Sequence, residues 1–166
     1  MSVQPCAPVP APTLVKEAPE HAAAIEALLD RAFGPGRFVK VSERVREFAD
    51  FAPELSFMAV EDGRVIGSVR LWRVASGGRP LAFLGPLAVD ADARKAGLGG
   101  LLVERACAAA EAAGEPAVLL VGDLPYFGKL GFEVAEGVTM PGPVDPKRVL
   151  VRRFGDVAIS GRLTAR

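Results

Sequence analysis

Arg94-Lys95-Ala96-Gly97-Leu98-Gly99-Gly100-Leu101 gathers two cations and three glycines into eight consecutive residues, a composition suited to binding an anion. The loop lies between an apolar run, Leu81 to Val89, and an alanine-rich segment. In that segment Leu98, Leu101, Leu102, Ala106, Ala109 and Ala113 recur at helical spacing, with Glu104 and Glu111 on the opposite face and Arg105 close to the stripe. A helix start leaves about four backbone N–H groups without an intrahelical acceptor and carries roughly half a positive charge. Gly97, Gly99 and Gly100 clear side chains from the place where a pyrophosphate would meet those amides, and Arg94 and Lys95 add charge at the rim. Spacing excludes two familiar phosphate loops. A dinucleotide fingerprint needs a small residue where Leu102 stands and follows a first strand, not a late one. A Walker loop needs Lys-Ser/Thr after its second glycine, and the nearest imitation, Gly122 to Gly128-Lys129-Leu130, has the wrong spacing and ending.

Few other residues offer chemistry. His21 is the sole histidine, it sits beside Pro19-Glu20, and no nucleophile elbow accompanies it, so a Ser-His-Asp or Cys-His hydrolase is excluded; it reads as a solvated helix-start residue. Cys6 and Cys107 have no spacing that suggests a metal site or a disulfide. Asp123 falls where a strand, Ala117 to Val121, meets a short helix opened by Leu124-Pro125, and it serves there either as a proton acceptor or as the helix N-cap. Glu61 reads as solvated in a hairpin.

The elements that position these residues belong to a chain of 166 residues, half of them hydrophobic, which suits one domain with a real core. Twenty basic and twenty acidic side chains balance, so no global field favours nucleic acid or an anionic membrane. No secretion signal or bilayer-length apolar run is present, and the chain reads as cytoplasmic. Residues 1–12, rich in Pro and Ala, read as a mobile leader, followed by a single domain over 13–166. Thr13 to Glu17 predicts a strand. Pro19 opens a helix with Ala24, Ile25, Leu28, Leu29 and Phe33 on its apolar face, ended by Gly34-Pro35-Gly36. A second helix is predicted over Val41 to Phe51, with Val45, Phe48 and Phe51 inward. Ser56 to Val60 and Val65 to Val74 read as strands joined by a hairpin at Asp62-Gly63. Gly85-Pro86 bends the next strand, because proline lacks an N–H for the ladder. After the short helix, ended by Gly131, Phe132 to Ala135 and Arg148 to Phe154 are predicted as the last strands.

Arg94, Gly97 and Gly99 match Gln/Arg-x-x-Gly-x-Gly/Ala, the coenzyme A loop of the GNAT superfamily of N-acetyltransferases. Leu87-Ala88-Val89-Asp90 resembles the strand end that precedes that loop, and Tyr126-Phe127-Gly128-Lys129-Leu130-Gly131-Phe132 resembles the family's late Tyr-x-Lys-x-Gly-Phe segment. One departure stands out. The family's tyrosine position is Phe127, and Tyr126 is one residue earlier, about 100 degrees away around a helix.

The resemblance covers residues 13–154 and implies an α+β fold: a mixed, mostly antiparallel central sheet, helices on both faces, and a splayed pair of parallel strands. It implies acetyl-CoA as co-substrate, held by Leu87, Ala88, Val89, Arg94, Lys95, Ala96, Gly97, Leu98, Gly99, Gly100 and Phe127, with no metal. It further implies direct attack by a primary amine of a small molecule or protein, with Tyr126 as candidate acid and Asp123 as candidate base. A homodimer is compatible with it. Two other readings remain: a GNAT-like domain that binds acyl-CoA as a sensor or scaffold, which the loss of the acid at Phe127 favours, and a phosphate- or nucleotide-binding module resting on the loop alone.

Overall fold

The structure, a computed structural model, describes residues 12–34 and 41–166, with backbone alone at 94–96. The leader through residue 11, Cys6 within it, the Pro35-Gly36 stop, and the side chains of Arg94, Lys95 and Ala96 lie outside the described residues.

Strand β1 (Thr13–Lys16) leads through a 3-10 turn at Pro19–His21 into α1 (Ala22–Phe33). Ile25, Leu28 and Leu29 are fully buried, whereas Ala24 is exposed, because a face centred on those three leaves position 24 one residue's rotation off it. His21 is only half-exposed, and its Nδ1 is buried without a hydrogen-bond partner, which corrects its reading as a solvated residue. Helix α2 (Val41–Phe48) is shorter than its periodicity predicts, since Asp50–Phe51 forms β2. Packing wins over helical spacing there: Phe51 meets Trp72 with ring centroids 5.1 Å apart, and Ala52 N–H donates to the Leu71 carbonyl at 3.0 Å.

Strands β3 (Phe57–Glu61) and β4 (Arg64–Ser76) form the expected hairpin, with Asp62 at φ 50° and Gly63 at φ 74°, the pair of left-handed residues that a tight two-residue turn requires. β5 (Arg79–Val89) pairs along one edge of β4. Along the other edge β3, β2 and β10 (Gly161–Ala165) follow one another. β10 was not predicted, because Leu163 and Ala165 are its only apolar residues; the open edge of β4 recruits it, with Ser76 Oγ–H on the Gly161 carbonyl at 3.0 Å.

Helix α3 (Leu98–Ala112), β6 (Ala117–Val121), α4 (Leu124–Phe127) with a 3-10 turn at Gly128–Leu130, β7 (Glu133–Val134), β8 (Val138–Thr139) and β9 (Val149–Arg153) complete the chain. The sheet runs β1-β3-β4-β5-β6-β9-β7, antiparallel except for β5 beside β6 and β8 beside β10. The face of α3 that packs on the sheet is Leu98, Leu102, Val103, Ala106, Cys107 and Ala110, while Leu101 is 56% exposed and Ala113 is exposed. Val103 and Cys107 are apolar too, and counting them turns the buried stripe away from Leu101. α3 covers one face of the sheet; α1 and α2 cover the other, over Met58, Val65, Ala88, Trp72 and Phe83.

On the α1 and α2 face, the buried Arg70 of β4 donates to Glu17 at 2.9 to 3.2 Å and to Glu26 at 3.0 Å, and Glu26 also accepts from Arg46 at 2.8 Å. Burial alone would depress the Arg70 pKa, but its hydrogen bonds and charge pairing with Glu17 and Glu26 raise it instead. Among the described residues, no helix is long and apolar enough to cross a membrane.

Candidate functional site

The register of β5 explains where a site opens. Leu71 pairs with Leu84 and Val69 with Leu87, so Arg70 faces two residues, Gly85 and Pro86, across the expected bulge. Gly85 has φ 155°, and a methyl group there would come within 3.1 Å of Ser42 Cβ, so glycine lets α2 lie directly on the strand. Trp72 Nε1–H fixes the bend by donating to the Gly85 carbonyl at 2.6 Å. On its other side, β5 pairs with β6 only at Ala82↔Val118 and Phe83↔Leu119. Past Phe83 the two strands part and leave a wedge between them; they are the splayed parallel pair that the family resemblance implies.

Two cavities occupy this region. The first, about 340 Å³, is lined by Phe33, Val41, Ser42, Phe83 to Leu87, Leu120 to Asp123, Phe127 and Arg148. The second, about 560 Å³, is lined by Ala32, Phe33, Leu87, Ala88, Val89, Gly97, Gly99, Tyr126 and Phe127. Phe33, Leu87 and Phe127 line both, so the cavities meet at an apolar junction.

Helix α3 begins at the rim of the second cavity. Its N-cap, Gly97, is left-handed at φ 70° and makes no side-chain capping bond. The first amides of the helix, at Leu98, Gly99 and Gly100, therefore have no intrahelical acceptor and carry the positive end of the helix dipole. A methyl on Gly99 would stand 2.8 Å from the Tyr126 hydroxyl, which places that hydroxyl over the helix start. Phe127 instead packs against Gly122, edge-on to Tyr126 at 4.8 Å and to Phe132 at 5.9 Å. Thus Leu87, Ala88, Val89, Gly97, Gly99 and Phe127 converge on one cavity, Leu98 points into the core, and Gly100 packs on Leu130.

Asp123 lies in the first cavity. Its side chain makes no capping hydrogen bond; its carbonyl accepts from Tyr126 and Phe127 N–H, and its carboxylate sits 3.3 Å from the Arg148 guanidinium. The sequence did not mark Arg148, Ser42 or Phe33 as site residues: Phe33 was read as part of the α1 apolar face and Arg148 as a strand start. For Arg148 a signal existed: β9 runs antiparallel to β6 with Val149 opposite Val121, so the residue before β9 must stand beside the end of β6.

Two further contacts brace the site. Asp90, just past β5, accepts from Arg31 of α1 at 3.3 Å and from Arg64 at 3.0 Å, which ties the C-terminal end of α1 to the end of β5. Cys107 lies in the core under α3. Burial, opposed by Arg152, pushes its thiol up to about 11, so it is inert as a nucleophile. Among the described residues, no cluster of three or more His, Cys, Asp or Glu could hold a metal ion.

The chain is 33% identical over 150 residues to the uncharacterized N-acetyltransferase YhbS of Escherichia coli K12, covering 87% of this chain and 89% of that protein. Its structure superposes on the crystal structure of Escherichia coli YhbS in complex with CoA with a TM-score of 0.79 at 29% identity, covering 96% and 92% of the two chains. A GNAT family acetyltransferase from Brucella melitensis in complex with acetyl-CoA gives 0.72 at 26% identity, covering 93% and 96%. Residues 22–132 match the acetyltransferase (GNAT) family, and with the splayed strands and the glycine-capped helix start in place, this chain belongs to that family.

Proposed function

We propose that this protein moves an acetyl group from acetyl-CoA to a primary amine by direct attack within a ternary complex. The observation that carries this reading is the meeting of two cavities at Phe33, Leu87 and Phe127, where the β5 and β6 strands part. One cavity offers bare helix amides and the end of β5, unpaired with β6 past Phe83, to a phosphate-bearing thioester, and the other leaves room for an acceptor. The fit is supported at Gly99, where any side chain would fill the cradle under Tyr126.

In the reaction the amine nitrogen bonds to the acetyl carbon, the carbon–sulfur bond breaks, and the amine proton leaves as the thiolate forms. We assign the phosphates to the amides of 96–100 with Arg94 and Lys95 at the rim, and the pantetheine arm and thioester oxygen to the backbone of 87–89. Holding both reactants at the apolar junction supplies proximity and excludes water. Asp123 is the carboxylate within reach of the acceptor cavity for a water-relayed proton. We assign Tyr126 to the phosphate end of the cavity, a reading that the position of its hydroxyl over α3 supports. The sulfur end falls to Phe127, which has no proton to give. A thiol of pKa near 8.5 leaves as thiolate without an acid.

The absence of an acid at Phe127 favours a second reading, an acyl-CoA sensor. Thiol release from acetyl-CoA over a panel of amines separates the two: turnover with any amine supports transfer, and tight binding without turnover supports the sensor. Gly99→Glu places a carboxylate in the cradle. Undiminished acetyl-CoA affinity in calorimetric titration of that variant would remove the loop from the site.

A further inference from the structure

The first cavity carries a chemical signature of its own. At about 340 Å³ it lies at the small end of the ligand range, roughly 300 to 1,000 Å³, so the part of the acceptor that enters is small. The junction with the second cavity is made of Phe33, Leu87 and Phe127, and none of these carries a charge to pair with an ammonium. The attacking amine, which must be uncharged to react, belongs there.

Charge recognition falls to the two ionised side chains that line this cavity alone, Asp123 and Arg148. They are 74% and 51% exposed, and they meet through a long contact of 3.3 Å. Asp123 is not spent on capping α4, and Arg148 has its backbone carbonyl fixed by Gly122 N–H at 2.9 Å, so its guanidinium is carried on a firm strand end. A guanidinium has five donors in a planar fork and never loses its charge. One long contact to Asp123 leaves most of that fork unmatched. Ser42, from α2, also lines this cavity, with a hydroxyl that can donate or accept. The N–H groups of Arg148 that Asp123 does not use face this cavity's opening to solvent, and the complement of a guanidinium fork is a carboxylate. An ammonium drawn to Asp123 would meet Arg148 beside it. The fold already uses one guanidinium to bridge two carboxylates, at Arg70 between Glu17 and Glu26.

We infer that the acceptor is a small primary amine bearing a carboxylate, whose apolar body packs against Val41, Phe83 and Val121 while Arg148 holds its carboxylate. This inference rests on the transfer reading above.

The test is thiol release from acetyl-CoA with matched acceptors: leucine and phenylalanine, their amides, their decarboxylated amines, and a linear diamine. Carboxylate-bearing amines should exceed their amides in kcat/KM on the order of 10- to 100-fold, the scale of one charged hydrogen-bonded pair. Arg148→Ala should remove that preference, chiefly through KM, with the acetyl-CoA Kd unchanged. Arg148→Glu should turn the preference toward the diamine, an outcome that mere loss of packing would not give. Equal turnover of amides and acids, preference of the unaltered protein for the diamine, or acetylation of peptide or protein amines alone would overturn the inference and leave the transfer reading standing. No turnover with any amine, with acetyl-CoA bound, would overturn both.

Discussion

Gly122→Ala tests the packing of the junction directly. The added methyl would stand 2.4 Å from Phe127 Cε2, 2.8 Å from Cδ2 and 3.2 Å from Leu120 Cδ1. Non-bonded carbons rest at about 3.5 to 4.0 Å, so the Phe127 ring must retreat by about 1 Å or more. Gly122 does not adopt a positive φ, and alanine adds no backbone strain of its own. Tyr126 and Phe132 flank the ring edge-on at 4.8 Å and 5.9 Å, which leaves the cavities as the direction of escape. Overpacking of this kind costs about 1 to 3 kcal/mol. For a chain of this size that lowers Tm by roughly 2 to 12 °C. A reacting centre displaced by about 1 Å loses on the order of 10²-fold in rate, so kcat/KM should fall far more than stability alone implies. The assay is a double-mutant cycle with Phe127→Leu, read by thermal unfolding and by thiol release. Because leucine frees the space that the methyl needs, the cycle should show a coupling of about 1 kcal/mol or more. Additive effects, or a Gly122→Ala protein with unchanged Tm and rate, would refute the reasoning.

Tyr126→Phe should leave kcat within about 3-fold and act mainly on the KM for acetyl-CoA, since the hydroxyl stands over the start of α3; a 10²-fold loss of kcat would return Tyr126 to the role of acid. Glu17→Ala leaves Arg70 buried with Glu26 alone and should cost about 3 kcal/mol in denaturant unfolding, whereas Glu17→Leu combined with Arg70→Met should recover most of it; a loss under about 1 kcal/mol for the single change would contradict the burial argument. The raised thiol pKa of Cys107 favours the protonated form in the folded state, so the stability it contributes is whole below the unfolded value near 9.0 and declines as pH rises toward about 11. Cys107→Ala should flatten that decline in unfolding titrations between those values, and labelling of native Cys107 by a thiol reagent near pH 8 as fast as in the unfolded chain would show that it is not buried.

What the sequence disclosed followed from local chemistry. Asp62-Gly63 between apolar runs named its hairpin, Gly85-Pro86 its bulge, and the glycines from Gly97 to Gly100 the helix start, because each turn or bend depends on residues adjacent in the chain. Long-range packing was not legible. Asp50 and Phe51 fit a helical period, yet Trp72, far along the chain, draws them into a strand. β10 carries almost no apolar signal and exists because β4 has an edge to cover. At the site, Asp123 was found by its place between strand and helix, but its pairing with Arg148 depends on the β6 and β9 register, which a linear reading does not supply. Tyr126 and Phe127 were recognised as a pair, and only the three-dimensional course of α4 shows the Tyr126 hydroxyl over the start of α3 and the Phe127 ring against Gly122.

The shared edge of β4 has a consequence for the order of events during synthesis. β3 is 12 residues or fewer from its partners in β4, so that part of the edge closes as soon as the hairpin emerges. The stretch from Val74 to Ser76 waits for Leu163, Thr164 and Ala165, and Gly77 N–H waits for the Arg162 carbonyl at 3.2 Å. A ribosome adding about 5 to 20 residues per second spends several seconds between the two. Throughout that interval the nascent chain presents an unpaired strand end beside a half-built core, the kind of edge that templates association with another chain. Early release or truncation before residue 161 would therefore make the polypeptide sticky without touching the wedge between β5 and β6.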